Sequence, residues 1–233
     1  AWAVTGGGGA ITVSAAVDLT IAAAVQTAAG PLQLAAGRHV TTLLGGDITS
    51  LSGAVRLTAD ADGVGGGGIT LADGTVIDAG TGGLTLLATD DIWLGRLLTT
   101  NDTAAAVLVR STAGRVLDGG DTGGPDITAE SSGAVTTLQA AAGLGTAANP
   151  LDLAVGRLIT NTADSDQFLA ERDDLASLDL QAGSGRIHLT AGGALQDADT
   201  ELDIRASDLT LQAASVGTWS QPLQTQLTTL TAT

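Results

Sequence analysis

Aspartate is the residue type through which this chain could do chemistry. Of its 25 acidic residues only Glu130, Glu171 and Glu201 are glutamates, which leaves 22 aspartates. Several are spaced as pairs: Asp60 with Asp62, Asp90 with Asp91, Asp173 with Asp174, and Asp197 with Asp199. Two carboxylates converging on one face are what a carbohydrate-cleaving site requires. Neighbours in a strand point to opposite faces, so Asp90-Asp91 and Asp173-Asp174 need a loop to cooperate. Asp60/Asp62 and Asp197/Asp199 could share a face, but both fall where corners are expected. The run Asp118-Gly-Gly-Asp121-Thr-Gly-Gly-Pro-Asp126 gathers three carboxylates on a flexible loop. Oxygen donors suit a hard cation. Asp118, Asp121 and Asp126 are therefore the metal candidates, and calcium is the one cofactor left open. The run matches neither the EF-hand nor the calcium-binding nonapeptide pattern. No catalytic residue is assigned, and the chain is read as not an enzyme.

Other chemistries find less support. There is no Cys, and all nine basic residues are arginines, so thiol nucleophiles, disulfides and Schiff-base lysines are excluded. His39 and His188 fall on the outward positions of expected strands, where an exposed imidazole with no role is the simpler reading. No Gly-x-Ser-x-Gly occurs. The glycine runs are not followed by Lys or by a helical period, so they are not phosphate loops. Trp2, Trp93 and Trp219 would offer sugar-stacking surfaces if exposed; burial at a cap or under a loop is expected instead. A net charge of −16 repels phosphate backbones and anionic headgroups, which argues against nucleic acid as a partner. No apolar run is long enough to insert in a bilayer.

The elements that must carry these residues are short strands. Ile11-Thr-Val13, Val55-Arg-Leu-Thr58, Ile69-Thr-Leu71, Leu84-Thr-Leu86, Leu178-Asp-Leu180, Ile187-His-Leu189 and Leu209-Thr-Leu211 alternate apolar with polar residues, which is period two. A second set, Val76-Ile-Asp78, Val116-Leu-Asp118 and Leu195-Gln-Asp197, ends in aspartate. Strand starts at Leu178, Ile187, Leu195, Leu202 and Leu209 leave corners too short for helical crossovers. The unit Thr-x-x-x-Pro-Leu occurs at Thr27, Thr146 and Thr218, and its prolines, Pro31, Pro150 and Pro222, lie 119 and 72 residues apart. Those intervals are near five and three multiples of about 24, the coil length of a three-sided β-helix. In the first two copies Arg38 and Arg157 follow at the same place, each expected to pair with a neighbouring aspartate. The segment 161–174 is the most polar stretch and is expected to project from the coil as a loop, with a short helical turn.

On these residues the chain resembles the filamentous-haemagglutinin-like, large repetitive exoproteins and giant adhesins of bacteria. The phrase Gly143-Leu-Gly-Thr-Ala-Ala-Asn-Pro-Leu151, the following Val155-Gly-Arg-Leu158, and Gly-x-Ile-x-Leu strands such as Gly68–Leu71 and Gly185–Leu189 carry the likeness, which runs along nearly the whole chain. The resemblance implies a right-handed parallel β-helix, secreted or at the cell surface, serving as stalk, fibre or spacer. The expectation is an all-β solenoid spanning 1–233 as a piece of a longer repetitive protein, without catalytic function. Its open strand edges would meet more of the same chain or another copy end to end. An adhesive role would take a surface carbohydrate or protein as receptor. The alternatives are a carbohydrate-active β-helix enzyme, and a calcium-stabilised surface-layer or matrix module.

Overall fold

Alternating residues can bury one face only if strands stack, and here they stack coil upon coil. The computed structural model describes residues 4–197 and 199–232. They form a parallel β-solenoid of about ten turns with about 22 residues per turn, and every strand pairing among the described residues is parallel. The steps vary around the 24 expected from sequence. Val4 pairs with Val25 and Val25 with Ile48, advances of 21 and 23 residues, whereas Ile48 pairs with Ile77, an advance of 29.

Each early turn has three sides. The first carries strands such as Val25–Thr27, Ile48–Ser50 and Val76–Asp78; the second Leu32–Ala36, Val55–Thr58 and Leu84–Ala88; the third Val40–Thr42, Ile69–Thr70 and Ile92–Leu94. Long turns arise where corners are extended, by the glycine-rich segment 59–68 and by 118–126, and neither extension disturbs the ladders on either side. Because pairing is in register, like residues stack. Leu34, Leu57, Leu86, Val109 and Leu138 make one continuous inward column, each at most 2% exposed. Ile48, Ile77, Leu97, Ile127 and Leu153 make a second column, and Val40, Ile69, Ile92, Val116 and Leu144 a third. This core is almost wholly aliphatic, in keeping with the scarcity of aromatic residues in the chain.

All three columns turn polar within one turn. Leu138 is followed by Thr160, Leu144 by Gln167 and Leu153 by Glu171, each at most 3% exposed. The Thr160 hydroxyl donates to Gln167 Oε1 at 2.6 Å, and Gln167 Nε2 donates to the Gln181 carbonyl at 3.0 Å and to Thr162 Oγ1 at 3.2 Å. At this level the cross-section changes. At Gln167–Glu171 the third ladder merges with the first and runs on through Ile187 and Leu209, and a new ladder opens at Leu175, continuing through Ala194–Leu195 and Ser215–Val216.

Three sequence expectations change here. The segment 161–174 is not a projecting loop, because Gln167–Glu171 is a strand paired on both edges. Its inward residues are Gln167, Leu169 and Glu171, so the dry face looks wet, and Phe168 points outward against His188 with ring centres 6.4 Å apart. Leu202 is 36% exposed and begins no strand; the strand starts at Ile204. The three prolines are not stacked: Leu32 follows on the second side, Leu151 on the first, and Pro222 lies between the new ladder and the second side. The repeated unit is instead a shared corner. In each copy the Thr hydroxyl accepts the N–H three residues on, from Gly30, Asn149 and Gln221, at 3.3, 3.0 and 3.0 Å.

Candidate functional site

Most corner aspartates are occupied by backbone. Asp47 accepts the Val76 N–H at 2.9 Å, Asp91 that of Arg115 at 2.8 Å, Asp166 that of Arg186 at 2.9 Å and Asp174 that of Ala194 at 2.6 Å. Each bond joins one turn to the next. The side chain thus caps an amide that the ladder, beginning one residue later, does not reach. Asp18 does the same for His39 and is paired with Arg38 at 2.5 Å, so one of the two repeated arginines has the expected partner. Arg157 makes no ion pair among the described residues.

The carboxylate pairs spread apart in role. Asp60 accepts the Thr89 hydroxyl at 2.5 Å, while Asp62 accepts the Val64 N–H within its own loop. Asp173 lies in an exposed ion pair with Arg172 at 3.4 Å, while Asp174 caps the next turn.

The metal candidates Asp118, Asp121 and Asp126 separate into two buried groups and one exposed group. Asp118 and Asp126 are 3% and 2% exposed; Asp118 Oδ1 accepts the Gly120 N–H at 2.6 Å and Asp126 Oδ2 the Asp152 N–H at 2.9 Å. Burial, reinforced by the Asp118 charge, pushes the Asp126 carboxyl up to about 9. Burial raises Asp118 as well. Asp121 stays on the exposed loop, and these three do not bring three ligand atoms within 4.8 Å of one another.

Among the described residues that closeness is met by Asp197, Asp199 and Asp203. Asp197 and Asp203 are 6% and 4% exposed, and Asp199 is exposed. Asp197 Oδ1 accepts the Asp199 N–H at 2.8 Å, Asp199 Oδ1 the Glu201 N–H at 2.7 Å and Asp203 Oδ2 the Gln224 N–H at 2.6 Å. Asp197 Oδ2 is buried without a hydrogen-bond partner, as is Gln224 Oε1. Burial raises the Asp203 pKa, and the charges of Asp197, Asp199 and Asp179 raise it further. The sequence marked Asp197 and Asp199 as a pair on one face. Asp203 lies at the far end of the corner between Leu195 and Ile204, and no short motif describes its convergence with the other two.

The indoles are not buried as expected. Trp93 is 42% exposed and Trp219 fully so, and Trp2 lies outside the described residues. Trp93 stands on the outward row between Thr70 and Leu117. With His39, Thr70, Asp90 and Asp91 it lines an open concavity of about 460 Å³. His39 Nδ1 there accepts the Gly68 N–H at 3.0 Å. His188 is exposed on its strand, beside Phe168. No protein-family model, curated protein or solved structure matches the chain.

Proposed function

We propose that this chain is a length of a non-catalytic extracellular rod, secreted or held at the cell surface, of the kind found in filamentous-haemagglutinin-like exoproteins. The observation that supports this reading most directly is the in-register stacking of the inward columns. The same aliphatic positions recur over successive turns from Leu34 to Leu138, so length is added by adding turns without loss of backbone pairing. The strands Val4–Gly6 and Thr225–Ala232 each pair on one edge only among the described residues. Further turns or another copy would pair with those edges.

Electron microscopy with fibre or layer-line analysis tests the reading. The expected result is a thin rod or filament with a repeat of about 4.8 Å along its axis, the spacing of successive strands. A compact particle without axial growth in the parent material would count against it.

An adhesive contribution has its own support in Trp93. An indole face stacks on the apolar side of a sugar ring, and neighbouring carboxylates and imidazoles accept its hydroxyls. On this reading Trp93→Ala abolishes retention on an immobilised glycan array while leaving the circular dichroism spectrum unchanged. Equal retention of both proteins on every glycan, or none by either, removes Trp93 from the function.

A further inference from the structure

We infer that Asp197, Asp199 and Asp203 form a calcium site on the corner between the ladder at Ala194–Leu195 and the strand Ile204–Gln212. Two oxygens bound to one calcium at about 2.4 Å can be no more than about 4.8 Å apart, and the three carboxylates meet that limit mutually. The donors are all oxygens, with no imidazole or thiol, which selects a hard cation over zinc or copper.

Closeness of acidic groups alone would not make a site, since elsewhere in this chain aspartates simply cap amides. What sets this corner apart is the oxygen left over. Asp197 is 94% buried by its 6% exposure, yet its Oδ2 has no partner, although a buried acceptor without one is destabilising. Gln224, whose backbone already holds Asp203, carries a second buried oxygen without a partner. Among the described residues no arginine pairs with any of the three carboxylates. A divalent cation would satisfy the free oxygen and neutralise charges that otherwise repel one another across a low-dielectric corner.

Calcium fits better than magnesium. The donors sit on a loop, one of them exposed, and calcium accepts six to eight oxygens in flexible geometry with water completing the shell. Magnesium demands a tight octahedron. The site is separate from the metal candidates at Asp118, Asp121 and Asp126, and it does not rest on the rod reading, since a cation could bind this corner whatever the length or role of the parent protein.

The test is calorimetric titration of the chelator-treated full chain with calcium and, separately, with magnesium. One equivalent of calcium is expected to bind with an affinity in the range of extracellular calcium modules, roughly 10⁻⁴–10⁻³ M, and more tightly than magnesium. Asp199→Asn, a change at an exposed side chain, should weaken calcium at least tenfold, roughly what loss of one charged ligand costs. Asp197→Asn should abolish binding while leaving the metal-free protein at least as heat-stable as the parent. Asp118→Asn should bind as the parent does. Absence of saturable heat up to about 10 mM calcium overturns the inference, as does binding that Asp199→Asn leaves unchanged or that magnesium matches. If Asp197→Asn does not fold, Asp199→Asn alone decides.

Discussion

A corner carboxylate in this chain must reach the amide of the next turn, one strand spacing away, and aspartate has the length for that. Glutamate adds a methylene and a rotamer to be frozen. This explains why acidic residues here are so largely Asp, and why the charge need not signal a ligand at every corner. Glycine answers the complementary constraint, where backbone meets backbone. A Cβ on Gly53 would lie 2.2 Å from the Gly30 carbonyl oxygen, and one on Gly82 2.3 Å from that of Gly53. The glycines form a column because turns approach there too closely for any side chain. Gly53→Ala should therefore destabilise the protein by about 1–3 kcal/mol, the usual cost of overpacking, measured as a lower urea midpoint at constant m-value. Gly7→Ala, where a Cβ meets nothing within 4 Å, is the control and should be near neutral. Equal effects of the two would show that the stacked carbonyl is not what excludes a side chain at Gly53.

Strands were readable wherever inward residues are aliphatic and outward ones polar. Ile69–Thr70, Leu84–Ala88 and Arg186–Ala191 all stand where alternation put them. The rule failed at Gln167–Glu171 because the inside of the solenoid is itself polar at that turn. Gln167 is buried by hydrogen bonds to Thr160, Thr162 and Gln181, contacts that join residues 7, 5 and 14 positions away. No local pattern distinguishes such a strand from a solvated loop. Proline spacing failed for a different reason. The Thr-x-x-x-Pro-Leu unit encodes a corner, and this solenoid uses that corner on more than one edge of its cross-section, so the distance between copies is not a whole number of turns. The candidate cation corner was half visible for the same reason. Asp197 and Asp199 sit two residues apart just past the strand Ala194–Leu195, but Asp203 joins them only through the path of the chain from that strand to the next, which starts at Ile204. Position on a strand is a local property; convergence of loops depends on the whole turn.

At the scale of the molecule the buried acids set how stability follows pH. Burial holds the Asp126 carboxyl up at about 9 against an ordinary 3.8, and that of Glu171 up at about 7 against 4.5. Glu171 accepts the N–H groups of Val155 and Asp173, which pull the other way, but desolvation in the aliphatic column is the larger effect. The folded chain therefore keeps protons that the unfolded chain has released. Stability is greatest below the unfolded values and declines as pH rises, until it levels off above about 7 for Glu171 and about 9 for Asp126. Asp18 has the opposite sign: its bond to Arg38 holds it down at about 2, so its contribution disappears only below pH 4. Between pH 5 and 8 the buried acids govern, and mutual repulsion among the many other carboxylates of a chain of charge −16 is nearly constant there. Urea midpoints should consequently be higher at pH 5 than at pH 8, contrary to the neutral optimum common among proteins. Glu171→Gln should remove about half of the slope between pH 5 and 7, a change on the order of 2 kcal/mol, and make the protein more stable than the parent at pH 8. Asp126→Asn should flatten what remains up to pH 9. A parent whose stability is level or rising from pH 5 to 8, or a slope that both variants retain, would mean that these carboxyls ionise in the folded solenoid and that water reaches the inward columns.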